Sequence, residues 1–271
     1  MRLLTCLIIT LALAASLPAQ TPTPVSDEAK AQARNELNEA ARAYREGNLA
    51  EAQAHSEKAL LLDPQNKTAP MYVARTIHAQ FKPGDFTPEN IAIARAAIVA
   101  YQKLLERSPN DDEAYKAVAY LYGAVKDEEL LHEWLMQRAR DGSMPNEKRA
   151  EAFVVLASKD WECSFKITEQ PAIKVVIVPA RGNKAYVKYR MPKERNLFET
   201  AKECANHGLE MANIAIGLTP ESESAWSYKT NLLLELEKLA EMSGDLQQKR
   251  EFHRQYEEAL NETKRVSTRS Q

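Results

Sequence analysis

The feature that most constrains this chain is a recurring pattern of small residues closed by a proline. From Ala33 to Asn66, small residues stand where two antiparallel helices would cross closely, at Ala40, Ala52 and Ala59. Gly47 follows the first helix, and Pro64 follows the second. Gly47 permits the left-handed backbone that commonly ends a helix. Pro64 cannot continue the second helix, because its ring removes a backbone donor. The pattern therefore predicts a hairpin of two packed helices.

The pattern recurs, so the sequence predicts several such hairpins in tandem. The second unit contains a long loop from Lys82 to Pro88 and ends near Pro109, and the third spans residues 111–146. The fourth unit runs from Glu147 to Pro220. The fifth opens at residue 225, reaches a glycine at 244 and leads into a polar last helix, as a stack whose final face meets water requires. We expect the helical region to cover 28–265 and a polar tail to follow at 266–271.

These spacings resemble the tetratricopeptide repeat, in which small residues, a glycine and a terminal proline fall at the same offsets. The resemblance implies an all-α fold, a right-handed α-solenoid of about five helical hairpins. It also implies a concave groove, lined by the first helix of each unit, that binds a peptide or a protein segment. First-helix residues that would line this groove are Tyr72, Tyr115, Tyr120 and Tyr228. Leu37 and Ala41 stand where some relatives carry a carboxylate clamp, which argues against that role.

One segment of the fourth unit does not fit a helix. Lys174 to Val178 and Ala185 to Pro192 are rich in β-branched and aromatic residues and flank a Gly-Asn turn. Such runs predict a β-hairpin, here inserted at 171–192 between the two helices of the unit. Tyr186, Lys188 and Arg190 are expected on one face, and Val187 and Tyr189 on the other.

The inserted hairpin is basic, and three interpretations of it remain open. Its candidate recognition residues are Arg181, Lys184, Lys188 and Arg190. It is a finger that touches an anionic glycan, lipid or polymer, a strand edge that a partner extends, or a flap that packs against the helices. An isolated two-stranded hairpin is marginal in water, so it must lean on the helices or be held at its base.

The N-terminus predicts export. A positive start at Arg2, an apolar stretch from Leu3 to Ala15 and small residues after it have the outline of a signal peptide, residues 1–19, cleaved after Ala19. An uncleaved membrane anchor is the alternative. A linker at 20–27 follows, and no membrane span is expected in the mature chain. We therefore expect a periplasmic or extracellular protein, in which Cys163 and Cys204 form a disulfide or remain as two buried thiols.

The chain offers little for catalysis. Its five histidines are scattered without metal-binding spacing, and no phosphate-binding loop or nucleophile motif is present. Cys204 and His207 share a helix face, which leaves a thiol–imidazole pair as an alternative. A net charge of −2 gives no general attraction to nucleic acid. The sequence thus predicts a non-catalytic scaffold or adaptor of the cell envelope, with no cofactor or metal, that binds an unknown protein or peptide.

Overall fold

The protein is described here by a computed structural model that covers residues 24–178 and 184–269. The predicted signal peptide, the first part of the predicted linker and the turn of the hairpin, including Arg181, lie outside these ranges. Within them the chain forms ten α-helices and one two-stranded antiparallel sheet. The elements are α1 Asp27–Arg45, α2 Leu49–Leu62, α3 Ala69–His78, α4 Pro88–Arg107, α5 Asp112–Ala124, α6 Glu128–Arg140, α7 Asn146–Thr168, β1 Lys174–Ile177, β2 Tyr186–Tyr189, α8 Arg195–Leu218, α9 Glu223–Ser243 and α10 Leu246–Arg269. The prediction of an all-α repeat fold with a hairpin inserted in its fourth unit is confirmed.

The chain divides into two compact units, Met1–Tyr115 and Lys116–Gln271, and α5 runs across the division. In the first unit, α1 packs on α2, α2 on α3, and α3 on α4. The small residues of the first repeat, Ala40, Ala52 and Ala59, have no exposed surface. Ser26 caps α1 by accepting a hydrogen bond from the Ala29 amide at 3.1 Å. Gly47 has a φ of +81°, the left-handed conformation that the sequence predicted after this helix.

The long loop between α3 and α4 is held by one buried amide side chain. Asn90 accepts a hydrogen bond from the Lys82 amide at 2.9 Å and donates to the carbonyls of Lys82 and Asp85, at 2.8 and 2.7 Å. Gly84 supplies a positive φ of +85° within the loop. Asn90 thereby satisfies three backbone groups of the loop, which stabilises the extra length of this repeat in one conformation.

In the second unit, α7 packs on α6, α8 and α9, and α9 packs on α8 and α10. Gly208 marks the closest approach of these helices. A Cβ atom added there would lie 2.7 Å from the Asp160 Cβ and 2.8 Å from a Leu232 methyl carbon. Only glycine leaves enough room for α7, α8 and α9 to meet at this point.

A disulfide joins Cys163 of α7 to Cys204 of α8, as the sequence predicted, across a Cα separation of 6.1 Å. The two cysteines are 41 residues apart in the chain. Closing a loop of that length contributes roughly 4 kcal/mol in the chain-entropy description of disulfides. The bond ties together the two helices from which the β-hairpin emerges. Because both sulfurs are used in this bond, the alternatives of two free thiols and of a Cys204–His207 thiol–imidazole pair are wrong.

The predicted polar tail at 266–271 is wrong for the residues that the structure describes. Helix α10 continues to Arg269, and the Val266 side chain is buried. Arg265 pairs with Glu221, at 3.0 Å, and with Glu262, at 2.7 Å. The burial of Val266 and these ion pairs stabilise the helix beyond residue 265, where the sequence predicted a polar tail.

We predict that Gly208→Ala lowers the free energy of unfolding by about 1–3 kcal/mol, because the added methyl must displace packed atoms. Urea denaturation of the oxidised protein measures this change. Gly217→Ala is the matched control in the same helix, because nothing lies within 4 Å of its added Cβ. The control should gain about 0.5–1 kcal/mol from the better helix former. Equal effects of the two substitutions would contradict the close approach at Gly208.

Candidate functional site

A groove of about 380 Å³ lies in the first compact unit, Met1–Tyr115, along helices that each open a repeat. Its lining comes from α1, α3 and the start of α5, and we call it the first-helix groove: Ala41, Tyr44, Arg45, Tyr72, Arg75, Thr76 and Glu113. Tyr44 is 45% exposed at its rim. The hydroxyl of Thr76 donates to the Tyr72 carbonyl at 2.8 Å, so this hydroxyl is satisfied within its own helix. The groove thus combines two tyrosine side chains with a few polar groups.

Arg75 and Glu113 form a two-pronged ion pair at this groove. The Nε atom of Arg75 donates to Oε1 of Glu113 at 2.6 Å, and Nη2 donates to Oε2. The hydrogen bonds to Glu113 raise the pKa of Arg75, and those from Arg75 lower the pKa of Glu113. Both groups are therefore charged at neutral pH and cancel each other, so this pair gives the groove no net charge.

The four tyrosines predicted to line a groove fall in different surroundings. Tyr72 lies in the first-helix groove. Tyr115 is only 8% exposed, so it packs inside the protein and offers a ligand little surface. Tyr120, on α5, is 49% exposed, and Tyr228 lies with its ring 6.2 Å from that of Trp161. The last two belong to the second unit.

Sequence reasoning missed Tyr44, Arg75 and Glu113 as lining residues. Tyr44 was recognisable, because it follows Ala40 by one helical turn on the same face. The pairing of Arg75 with Glu113 joins residues 38 apart in the chain, and no local pattern marks it.

The β-hairpin of the second unit is held by a second group of residues, which we call the hairpin anchor: Glu169, Lys174, Tyr189, Glu235 and Lys238. Lys238 donates to Glu235 at 2.6 Å and to Glu169 at 2.9 Å. Lys174 of β1 pairs with Glu169 as well. The Lys238 ammonium also lies 5.2 Å from the centre of the Tyr189 ring of β2, a cation–π contact. Both strands are thereby attached to α7 and α9.

Glu235 is the most deeply placed charge of the hairpin anchor, at 1% exposure. Its second carboxylate oxygen accepts hydrogen bonds from Thr168 at 2.7 Å and from Ser164 at 3.1 Å. Burial alone would lower the pKa of Lys238, but the attraction of Glu235 and the hydrogen bonds to Glu235 and Glu169 outweigh it and raise that pKa. Lys238 therefore stays protonated, and the buried carboxylate keeps its counter-charge.

Glu241 adds a contact between the hairpin and α9. Its carboxylate accepts a hydrogen bond from the Tyr189 amide at 3.1 Å and another from the Lys249 ammonium at 2.5 Å. Burial would raise the pKa of Glu241, but these two hydrogen bonds lower it overall. Glu169 is similar, because burial would raise its pKa and the bonds from Lys174 and Lys238 lower it. Both carboxylates are ionised at neutral pH.

The far half of the hairpin is exposed. Val176 of β1 and Val187 of β2 are directly opposite each other and are 61% and 42% exposed. Val178 and Tyr186 are exposed too. Of the predicted recognition residues, Lys184, Lys188 and Arg190 are exposed, and Arg181 lies outside the described residues. The strand register places Lys188 and Tyr186 on the opposite face from Val187 and Tyr189, as predicted from the alternation of the sequence.

Two histidines and an aspartate lie near one another in the second compact unit. His207 bonds to Asp160 at 2.7 Å, and the His132 ring lies 6.1 Å from that of His207. In the ranges that the structure describes, no three His, Cys, Asp or Glu side chains are arranged to hold a metal ion. None of the helices in those ranges has the length and apolar character that crossing a membrane requires.

The paired antiparallel helices, with buried small residues at their crossings and left-handed glycines at their ends, define a tetratricopeptide-like helical repeat protein. No protein-family model matches the sequence, and no curated protein matches it. Similar solved structures include MamA from Desulfovibrio magneticus RS-1, with 14% identity, a TM-score of 0.40, and coverage of 92% of this chain and 99% of that one. Another is a tetratricopeptide repeat protein from Parabacteroides merdae, with 12% identity, a TM-score of 0.36, and coverage of 88% and 90%.

We predict that Lys238→Met lowers the free energy of unfolding by about 3–5 kcal/mol, because it leaves the Glu235 carboxylate buried without a counter-charge. Urea denaturation provides the measurement. The double variant Lys238→Met/Glu235→Gln should recover most of the loss, since the neutral amide still accepts from Thr168. Lys229→Met, on the same helix, is the control and should cost about 1 kcal/mol, because the partly buried Lys229 makes a cation–π contact with Trp226. An equal loss of unfolding free energy in Lys238→Met and in this control would contradict the role of Lys238 as the counter-charge of Glu235.

Acid should detach the hairpin at β2 before the protein unfolds. The pKa values of Glu169 and Glu241 lie below the ordinary value of 4.5. The contribution of these two carboxylates to the stability of the folded state is complete above pH 4.5. It is lost as the pH falls through their lower, folded-state pKa values. Hydrogen exchange of the Tyr189 amide, which donates to Glu241, should lose protection in this range. The Arg190 amide is the internal reference, because it donates to the Ile173 carbonyl, which does not titrate. Constant Tyr189 protection down to pH values well below 4.5 would contradict this assignment.

Proposed function

We propose that this protein is a non-catalytic scaffold that holds an extended segment of a partner protein in the first-helix groove. The observation that carries the proposal is that α1, α3 and the start of α5 contribute to one groove containing Tyr44 and Tyr72. Tyrosine offers a large contact area at a low cost in conformational entropy, so it is frequent at binding surfaces. The groove supports binding of a polypeptide without any group arranged for chemistry.

The groove favours a partner segment with apolar or aromatic anchors over a strongly charged one. Arg75 and Glu113 already satisfy each other, so a carboxylate of the partner would have to break an existing two-pronged pair. Among the described residues that line the groove, Arg45 is the one cation outside that pair. The tyrosine rings then supply most of the affinity, and the ion pair acts as a polar edge that fixes the position of the segment.

We propose further that this scaffold acts outside the cytoplasm, as an adaptor in the cell envelope or as a secreted protein. The disulfide between Cys163 and Cys204 supports this location, because cytosolic thiols are generally kept reduced. The apolar stretch near the N-terminus and the small residues after it agree with export.

The alternative function is binding of an anionic glycan, lipid or polymer by the hairpin. The exposed side chains of Lys184, Lys188 and Arg190 favour it. The same strands also expose Val176 and Val187, which a polyanion would leave in water. A polypeptide can cover both kinds of surface, so the alternative ranks second.

The groove is tested by selecting peptides from a displayed random library against the oxidised chain that begins at Gln20. A Tyr44→Ala/Tyr72→Ala chain serves for counter-selection. Fluorescence anisotropy then gives the Kd of each selected peptide. Each single tyrosine substitution should weaken binding by roughly tenfold, the effect of removing an aromatic anchor.

Tyr186→Ala is the matched control, because it removes an exposed tyrosine from the hairpin and leaves the groove intact. Groove-selected peptides should bind this variant as they bind the unchanged chain. Peptides that bind the double tyrosine variant with full affinity would show that the partner surface lies elsewhere.

A further inference from the structure

The pairing of β1 and β2 determines which backbone groups face outward. In an antiparallel pair, residues opposite each other alternate between those that bond across the pair and those that direct both backbone groups away from it. The Arg190 amide donates to the Ile173 carbonyl at 2.9 Å, so this pair bonds across the sheet. The next pair, Lys174 and Tyr189, must face outward, and the Tyr189 amide indeed donates to Glu241.

The same alternation places the backbone of Val187 on the outer edge of β2. Val187 lies two residues before Tyr189 and opposite Val176, so its N–H and C=O point away from β1. Glu241 covers this edge at Tyr189, whereas Val187 lies beyond that contact with an exposed side chain. An exposed edge with free pairing capacity is a template for another strand.

The two faces of the hairpin differ in chemistry. One carries the opposed pair of Val176 and Val187. Because side chains alternate along a strand, Lys188 lies on the other face, and the exposed Lys184 and Arg190 fall at the same parity. Lys174 lies on the first face and is already neutralised by Glu169. Among the described residues of the hairpin, the basic charge that remains exposed is thus concentrated on one face of β2.

We propose that the outer edge of β2 accepts an extended segment of a partner protein as a third strand, and that this segment alternates acidic and apolar residues. Its backbone pairs with the N–H and C=O of Val187. Its apolar side chains cover Val176 and Val187, and its carboxylates lie beside Lys184 and Lys188, since opposite charges on adjacent strands attract.

Charge complementarity selects this occupant over a second copy of the chain. Two hairpins joined edge to edge would bring equal sets of lysine and arginine side chains together, and like charges opposite each other oppose pairing. Lysine on an edge strand discourages non-specific pairing in the same way. The hairpin anchor supplies the fixed base that an added strand needs, because it holds both strands against α7 and α9.

The test uses the displayed peptide library against the oxidised chain, now with Val187→Pro as the counter-selection. Proline removes the outward N–H of residue 187, and edge strands tolerate it at such a position. Selected peptides should alternate acidic and apolar residues. Val187→Pro should weaken their binding by roughly 2- to 10-fold, the range for one lost hydrogen bond. Circular dichroism and thermal melting check that the variant folds.

A second measurement does not depend on a variant of the protein. Each selected peptide is N-methylated at alternate amides, in the two possible phases. One phase should abolish binding and the other should leave it intact, because only every second amide of an added strand faces β2. Equal effects of the two phases would overturn main-chain pairing.

Charge is tested with Lys184→Glu/Lys188→Glu/Arg190→Glu, which should abolish binding of the selected peptides. The control Lys67→Glu/Arg95→Glu/Lys264→Glu makes the same change in net charge at exposed sites outside the hairpin and should bind the peptides normally.

Three outcomes would overturn the proposal. If polyphosphate displaced the selected peptides completely and Val187→Pro still bound them normally, the hairpin would be a polyanion site. A dimer in light scattering that Val187→Pro dissociates would also overturn it, as would a library that yields no peptide sensitive to Val187→Pro. The tyrosine variants of the first-helix groove should leave these peptides unaffected, so the two proposals can fail separately.

Discussion

Both units depend on how closely their helices can approach one another, and small side chains set that distance. Ala33, Ala40, Ala52 and Ala59 have no exposed surface in the first unit, and Ala201, Ala205, Ala212 and Ala215 have none on α8 of the second. At Gly208 even a methyl group would overlap with two neighbouring side chains. Interiors packed to this density tolerate little change in volume, so the small residues fix the relative placement of the helices. The surfaces presented by α1 and α3 in the first-helix groove follow from it.

The second compact unit also contains a buried ion pair among its packed helices. A buried carboxylate, Glu235, is retained because Lys238 neutralises it and because Ser164 and Thr168 bond to it. Replacing such a pair by apolar residues often costs nothing in stability, so its role here is better understood as positioning. Lys238 reaches out of the core to Glu169 and to the ring of Tyr189. A hairpin too small to be stable alone is thereby given one fixed attachment, and its far half is left exposed.

The two proposed binding surfaces use different physics. The first-helix groove is an open concavity of tyrosines and a self-neutralised ion pair, which suits contact with side chains. The hairpin presents an open strand edge with an apolar face and a basic face, which suits backbone pairing with an acidic segment. One surface lies in each compact unit. The two proposals thus assign the two surfaces to partner segments of different chemical character.

The sequence by itself determined the helical class, the left-handed turn at Gly47 and the hairpin inserted at 171–192. These features depend on local periodicity, turn chemistry and residue type, all of which can be read from one amino-acid sequence. Only the tertiary structure decided that Tyr115 is buried, that α10 continues past Val266, and that Arg75 meets Glu113 and Lys238 meets Glu169. Such contacts join residues far apart in the chain, and their geometry depends on how the helices pack. The positions of the groove and of the hairpin anchor therefore emerged only once the helices were placed.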